Sequence, residues 1–516
     1  MKEAEDTAAS PERADVSAWL AVAAGTLGAL MATLDVSIVN SSLPTIQGEI
    51  GASGTEGTWI ATGYLVSEIV IIPLCAWLQR MLGLRTFLLG AAILFTVFSI
   101  VCGISESLGM MIIGRVGQGF TGGAMIPTAQ TIIATRLPRG QQSIGTAMFG
   151  ATAILGPVMG PLLGGALTEH LSWHYAFFIN IPLCMILIVL LLVGLPSDKP
   201  KITELLQADW LGIAGLVGFL GGLTVVLEEG QREQWFSSSL IISLSLISLF
   251  GFILLIAGQI LANRPVIHLK LLLDRQFGSV VLMGMIVGMV IYGTSYVIPQ
   301  FLASIANYNS LQSGKIVALS GLPSLLLMPL VPFLIRSLDI RLAVSFGLLL
   351  LAVSAWMETT LSPGAAGGEF IPSQLLRGAG TIFAMLFLSQ AAIQSVSRDE
   401  AGDASGLFNA ARNMGGSLAL AGIAIIQDQR QWLHQRRIEE TLNANSIALN
   451  DYLSAQAIHL GGMPQALRSL GNTLQLQSLT MTYNDLFWIL AVAILCVIPL
   501  VLFLRPLNKH SAIEAH

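Results

Sequence analysis

The chain of 516 residues is 54% hydrophobic and only 11% charged, with a mean hydropathy of +0.75. Soluble proteins carry about 25% charged residues, so a soluble globular fold is excluded and a polytopic, all-α integral membrane protein is expected. A net charge of −5 gives no footing to nucleic-acid binding. The four cysteines, Cys75, Cys102, Cys184 and Cys496, lie in apolar runs without Cys-x-x-Cys spacing. They read as small buried hydrophobes rather than disulfides or metal ligands.

The first fifteen residues are polar and of mixed charge. They lack the basic start and short apolar core of a signal peptide, so the first apolar segment is expected to stay as a membrane helix, with the N-terminus in the cytoplasm. A spanning helix needs about 20 apolar residues. By that measure the chain holds about fourteen: 19–40, 57–79, 84–104, 108–134, 144–167, 175–195, 210–227, 240–261, 278–302, 313–335, 342–360, 371–396, 404–426 and 485–504. Short loops on the N-terminal side carry Arg80, Arg85, Arg136 and Arg341, while the other side collects Glu49, Glu56, Glu106 and Glu169. That bias places both termini in the cytoplasm. The expected organisation is a tail (1–16), a six-helix bundle (17–195), a two-helix insertion (196–276), a second six-helix bundle (277–505) and a tail (506–516). One outer connection, 427–484, is long, and 432–449 within it is amphipathic and helical in pattern. Such a length is unusual without a role; it is either a docking surface for an external partner or a solvated helical hairpin.

The stretch 144–165, IGTAMFGATAILGPVMGPLLGG, organises the chain. Its glycines and prolines would break a helix in water, but in a bilayer neighbouring helices re-satisfy the freed backbone groups. Gly156, Gly160 and Gly164 recur at steps of four and form a face that another helix can approach closely. Gly150, Gly156, Pro157, Gly160, Pro161, Gly164 and Gly165 closely resemble the fifth-helix antiporter motif of drug/proton exporters in the major facilitator superfamily.

Charge inside an apolar span is costly and marks function by default. Asp35 follows about a dozen apolar residues, and its run LDVSIVN, ending at Asn40, resembles the first-helix motif of the fourteen-span drug exporters. The resemblance implies a proton-coupling acid. Burial disfavours a charged carboxylate, so such a group can load and unload a proton as access alternates; the alternative is a structural acid paired permanently with an arginine. Glu68 lies in the middle of the second span, with Tyr64 one turn earlier within hydrogen-bonding reach. It is a second proton site, a cation-recognising acid or an acid facing a watery vestibule. Arg115, with Gln118, Gly119 and Gly123, resembles the fourth-helix motif, which implies a role in proton transfer or in tuning the coupling acid. The alternative for Arg115 is snorkelling to the interface. Arg377 in the twelfth span, followed by small residues, faintly echoes Arg115 and fits duplicated halves around a midplane site.

The loop after the second span keeps Gly83 and Arg85 of the superfamily pattern but has Arg80 where an acid is expected and Ala76 for a glycine. The departure counts against an acid–base gate at this loop; a basic residue there is also a feature of the EmrB-like branch, so it narrows the family rather than excluding it. Asp209-Trp210-Leu211-Gly212, the run from Gly406 through Asn409 and Arg412 to Gly416, and Tyr483-Asn484-Asp485 resemble the same branch. Over about residues 17 to 505 the chain is thus similar to the fourteen-helix drug/proton antiporters of EmrB/QacA type. The resemblance implies a major facilitator fold of two six-helix bundles plus two extra helices in a bacterial inner membrane. It implies proton-driven export of amphipathic compounds, with membrane lipid around it and no cofactor beyond the proton gradient. It also implies a periplasmic adaptor (EmrA-like) and an outer-membrane channel (TolC-like) as partners.

No Walker A run, His/Cys cluster or G-x-S-x-G elbow occurs, so neither ATP hydrolysis, a metal site nor a hydrolase is expected. The seven histidines fall in loops and tails and read as surface residues. Two rivals remain: a dedicated exporter of one metabolite, lipid or organic acid, and a membrane receptor or lipid-modifying enzyme on the same fold.

Overall fold

The computed structural model describes residues 14–53, 56–138, 140–197, 208–262, 265–397, 400–442 and 446–504. The described elements are all helical. In chain order they are α1 (Val16–Ile50), α2 (Trp59–Leu82), α3 (Leu84–Gly103), α4 (Leu108–Arg136), α5 (Gln142–His170) and α6 (Tyr175–Gly194). There follow α7 (Trp210–Glu229), α8 (Ser239–Leu261), α9 (Arg275–Ser304), α10 (Leu311–Ile335), α11 (Ile340–Thr360) and α12 (Ile371–Gln394). The last three are α13 (Ala401–Thr441), α14 (Ile447–Leu460) and α15 (Met463–Val497). Eleven helices among the described residues are long and apolar enough to cross a membrane. Three more long helices lie outside that set: α4 and α13, whose glycine and polar residues dilute their hydropathy, and α5. The chain is a multi-pass membrane protein.

Local chemistry starts and bends these helices. Ser107 caps α4 by accepting from the Met110 amide at 3.4 Å. Asp209, part of one family-like run, caps α7 by accepting from Gly212 N at 2.7 Å. Prolines lie inside α1, α2, α4 and α9, tolerated where neighbouring helices satisfy the backbone. Gly83 joins α2 to α3 at φ +79°, a backbone conformation that favours glycine.

Two bundles result. In the first, α1 packs on α4, α5 and α6, and α4 on α2 and α3. In the second, α9 packs on α12, α13 and α15, and α11 on α12 and α15. The bundles meet along two seams, α2 against α13 and α5 against α10. The pair α7 and α8 stands beside the first seam, with α7 touching both α2 and α13.

The glycine face of α5 is turned on α1. A β-carbon at Gly156, Gly160 or Gly164 would overlap Thr33, Ser37 or Ser41, and one at Gly150 would meet Leu386 of α12 in the other bundle. Gly165, the last glycine of the motif, has open space around it. The rings of Pro157 and Pro161 lie outside the described residues.

The long connection is a helical hairpin. At 1.5 Å per residue the 41 residues of α13 reach about 60 Å, twice the roughly 30 Å of a hydrocarbon core. The helix expected to stop near 426 continues to Thr441, and α15 begins at Met463 rather than near 485. One expectation is corrected: Cys75, Cys102 and Cys184 are buried, but Cys496 is exposed, because it lies on the outward face of α15, which is only partly enclosed.

The α1–α5 contact predicts a graded response. Gly160→Val should lower the stability of the purified protein in detergent by about 1–3 kcal/mol through overpacking against Ser37. Gly165→Ala should melt within a degree or two of wild type, since nothing lies within 4 Å of its added carbon.

Candidate functional site

Asp35 and Arg115, far apart in sequence, form one ion pair through Oδ2 and Nη1, each with essentially no exposed surface. Arg115 therefore does not snorkel. Its Nε donates to the Ile60 carbonyl at 3.2 Å and its Nη1 to Gln118 Oε1 at 3.0 Å. Gln118 Nε2 in turn donates to Asp35 Oδ1 at 3.1 Å and to Ser99 Oγ at 2.8 Å. Asn180 of α6 donates to the same Asp35 oxygen at 2.8 Å and to Ser99 at 3.2 Å. The guanidinium lies over the Tyr64 ring, 4.3 Å from its centroid, in the geometry of a cation–π contact. Ser99 and Asn180 were not legible as site residues. Asn180 is a lone amide in an apolar run, which was the available signal; Ser99 gave none.

Glycine makes this cluster possible. A β-carbon at Gly119 would strike the Tyr64 backbone and Ser67 Oγ, and one at Gly123 would come within 2.9 Å of Glu68 Cα. The fourth-helix glycines thus let α2 lie directly on α4, with Tyr64 against Arg115. Tyr64 does not hydrogen-bond Glu68 as the i, i+4 spacing suggested. Its hydroxyl donates to the Ala32 carbonyl at 3.3 Å instead, because α1 is closer to the ring edge than the next turn of its own helix.

Glu68 is buried and turned toward the other bundle, where Asn413 and the Arg412 guanidinium of α13 face it. Arg412 also donates to Asn413 Oδ1 at 3.2 Å, and Tyr292 of α9 donates to the same oxygen at 3.4 Å. Arg412 and Glu68 thereby share one polar patch between the halves. Asn40 is exposed, five residues past Asp35, and its side chain makes no hydrogen bond to the described residues.

The second bundle has a buried pair of its own. Arg377 Nη2 lies 2.6 Å from Glu358 Oε2, and Ser373 donates to Glu358 Oε1 at 2.6 Å. Glu358 follows a tryptophan and a methionine near the end of α11, inside the expected span 342–360, and is not among the residues singled out from the sequence.

The end of the bundle opposite the hairpin is sealed. Gln130 of α4 donates to Ser389 Oγ of α12 at 2.7 Å and accepts from Ser405 at 2.5 Å and Asn409 at 2.9 Å, both on α13. Beside it a cavity of about 20 Å³ is lined by Gln142, Gln390 and Gln394 among others. At the rim, Arg80 donates to Asp403 Oδ2 at 3.1 Å, and His268 shares that oxygen at 2.8 Å. The acid missing from the loop before Gly83 is thus supplied by the other bundle. Arg85 instead holds the Leu195 carbonyl at 3.2 Å. The histidines are not all surface residues: His434 is 6% exposed, its Nε2 2.8 Å from Asp485 at the hairpin's base, where α13 and α15 close over it.

Two helical bundles meet along seams, with an ion pair buried inside each, and comparison with known proteins gives this arrangement the class of a membrane transporter. A family model described as Major Facilitator Superfamily matches residues 25–420, and the chain belongs to that superfamily as an EmrB-like member. Colistin resistance protein EmrB of Acinetobacter baumannii is 32% identical over 92% of this chain and 94% of its own. Multidrug export protein EmrB of Escherichia coli K12 is 30% identical over 93% and 94%. Fatty acid resistance protein FarB of Neisseria gonorrhoeae is 28% identical over 96% and 97%. Among solved structures, that of the human organic anion transporter MFSD10 (TETRAN) superposes with a TM-score of 0.59 at 16% identity. It covers 92% of this chain and 99% of that one, a likeness of fold.

Two measurements follow. Asp35→Asn leaves the Arg115 charge buried without its partner, which should cost about 3–5 kcal/mol in thermal unfolding. Adding Arg115→Met should return part of that loss; a double variant no more stable than the single would mean that the pair is not coupled. At the sealed end, a β-carbon on Gly402 would lie 3.2 Å from Ala76 Cβ, close to disulfide range. The pair Ala76→Cys and Gly402→Cys should oxidise spontaneously, read as a thiol count that falls and recovers with reductant.

Proposed function

We propose that this chain is a proton-driven exporter of amphipathic compounds, working by alternating access in a bacterial inner membrane. The observation that carries the proposal is the solvent-free cluster of Asp35, Arg115, Gln118 and Asn180. A buried ion pair adds little to stability over apolar packing, and intramembrane charge marks proton or ion pathways. Protonating Asp35 cancels half of the pair. Arg115 then still has the Ile60 carbonyl and Gln118 Oε1 as neutral acceptors, so the neutral acid is tolerated once α1 and α4 readjust. Proton binding at Asp35 thereby becomes movement of the helices that line the space between the halves. Glu68, facing Arg412 and Asn413 across the seam, is the second acid, open to a proton or to a cationic substrate. The transport step needs no cofactor in this reading. The fourteen long helices α1–α13 and α15 are its spans, with both termini in the cytoplasm.

The names of the relatives, colistin resistance, multidrug export and fatty acid resistance, support export of amphipathic compounds. The hairpin supports a tripartite assembly with a periplasmic adaptor and an outer-membrane channel. It extends α13 and α15 beyond the apolar spans, where the chain can meet an external partner. A second reading, a dedicated exporter of one lipid or organic acid, is favoured by the Arg412 cation beside Glu68.

The test is proton release from purified protein in weakly buffered detergent on adding amphipathic cations or a long-chain fatty acid. Wild type should release protons and Asp35→Asn should not. Glu68→Gln separates one coupling acid from two. Release that persists in Asp35→Asn would make Asp35 a structural acid; release with the fatty acid alone would favour the dedicated exporter.

A further inference from the structure

The two inserted helices are not absorbed by the mechanism above, and α7 carries the best-connected carboxylates outside it. Glu228 and Glu229 end α7 on the hairpin side. Consecutive helical residues point about 100° apart, and these two reach different bundles. Glu229, 1% exposed, accepts from Thr62 Oγ1 at 2.5 Å and Thr58 Oγ1 at 3.3 Å, both at the start of α2, and is ion-paired with Arg232. Glu228 accepts from Ser417 Oγ of α13 at 2.7 Å. The segment 222–229 touches α2 and α13 alike. Immediately before it, Val217–Gly221 is a π-helical turn, a feature that often marks functional positions in helices. Below that turn α7 is fixed to α8 by backbone contact: a β-carbon at Gly215 would come within 2.8 Å of the Gly251 carbonyl.

We propose that the outer segment of α7 is a strap across the hairpin end of the α2–α13 seam, hinged at 217–221, with Glu228 and Glu229 as positioning residues for the transport step. The arms are unequal. Glu229 holds the first bundle through two hydroxyls and keeps its charge balanced by Arg232. Glu228 holds the second through one hydroxyl. Opening the seam on the hairpin side therefore releases Glu228 from Ser417 and leaves α7 riding with α2. The inference rests on the two-bundle geometry and on alternating access, and not on the proton as driving ion.

The experiment is a distance measurement on the full chain in detergent, without substrate or gradient. Spin labels go on Thr45→Cys of α1 and Gln429→Cys of α13, both exposed, in a Cys496→Ser background. A hydrogen bond to a charged group contributes about 1.5–3 kcal/mol net. Ser417→Ala and Glu228→Leu should each raise the ratio of long to short separations by roughly tenfold or more. Glu228→Gln, whose amide oxygen still accepts from Ser417 through a weaker neutral bond, should fall between wild type and Glu228→Leu. A monodisperse Glu228→Leu protein with the wild-type distribution overturns the strap. So does a shift caused by Thr62→Val with none from Ser417→Ala, because that reverses which arm lets go. Neither outcome depends on whether protons are released, so the strap and the proton-coupled reading fail separately.

Discussion

One ion pair that no water reaches sets the terms for the first bundle. Asp35 and Arg115 carry full charges in a place where a lone charge would be prohibitive, so every group around them is committed. Gln118, Asn180 and the Ile60 carbonyl saturate the pair, which fixes α4 and α6 and the start of α2 relative to α1. Close contacts of the helices around the pair rely on glycine, beginning with Gly25 and Gly28, which face α4 from α1. Gly119 and Gly123 admit α2 to α4, and Gly156, Gly160 and Gly164 admit α1 to α5. The α2–α4 contact bears on the pair directly, because Arg115 donates to the Ile60 carbonyl and lies against the Tyr64 ring, both of α2.

The second bundle holds its charge differently. Arg377 occupies the place in α12 that Arg115 occupies in α4, but its acid, Glu358, comes from α11 rather than from the helix equivalent to α1. Its Nε has no hydrogen-bond partner among the described residues, whereas Arg115 has neutral acceptors in reserve. Losing the proton balance at Glu358 would therefore strand a cation with fewer alternatives. This asymmetry supports Asp35 as the switching acid and Glu358–Arg377 as a brace that keeps α11 and α12 together.

Much of this was legible in the sequence because it depends on one-dimensional properties. Length and hydropathy expose spans, steps of four expose a glycine face, and a single acid in an apolar run exposes Asp35 without any coordinates. The hairpin was legible only as length and amphipathic pattern, since a helix that leaves the membrane loses the hydropathy signal that marked it inside. What stayed hidden depends on pairing across the fold. Ser99 and Asn180 look unremarkable until they converge on Asp35. Arg80 looked like a departure from a gate because its acid, Asp403, lies more than three hundred residues away. Glu358 sits at a helix end, where sequence gives no reason to expect burial. Tyr64 was assigned to its own helix, because spacing reports intrahelical neighbours and not the closer carbonyl of α1.

The two ends of the seams show what a transporter of this kind needs in order to move. One contact between the bundles at the sealed end is an ion pair, Arg80 with Asp403; the acid is buried but the Arg80 side chain is 40% exposed, so water lowers the energy of parting them. The rest of the seal is made of neutral groups: Gln130 with Ser389, Ser405 and Asn409. Three such bonds contribute about 1 kcal/mol each, so the set lies below the roughly 5.5 kcal/mol that inverts a two-state equilibrium from 1:99 to 99:1. A buried ion pair in the same place would cost about 3–5 kcal/mol by itself to break and would tend to lock the halves. The ion pairs enclosed on both sides, Asp35–Arg115 and Glu358–Arg377, accordingly lie inside a bundle, whereas the seal between bundles combines amides and hydroxyls with one pair open to water through Arg80.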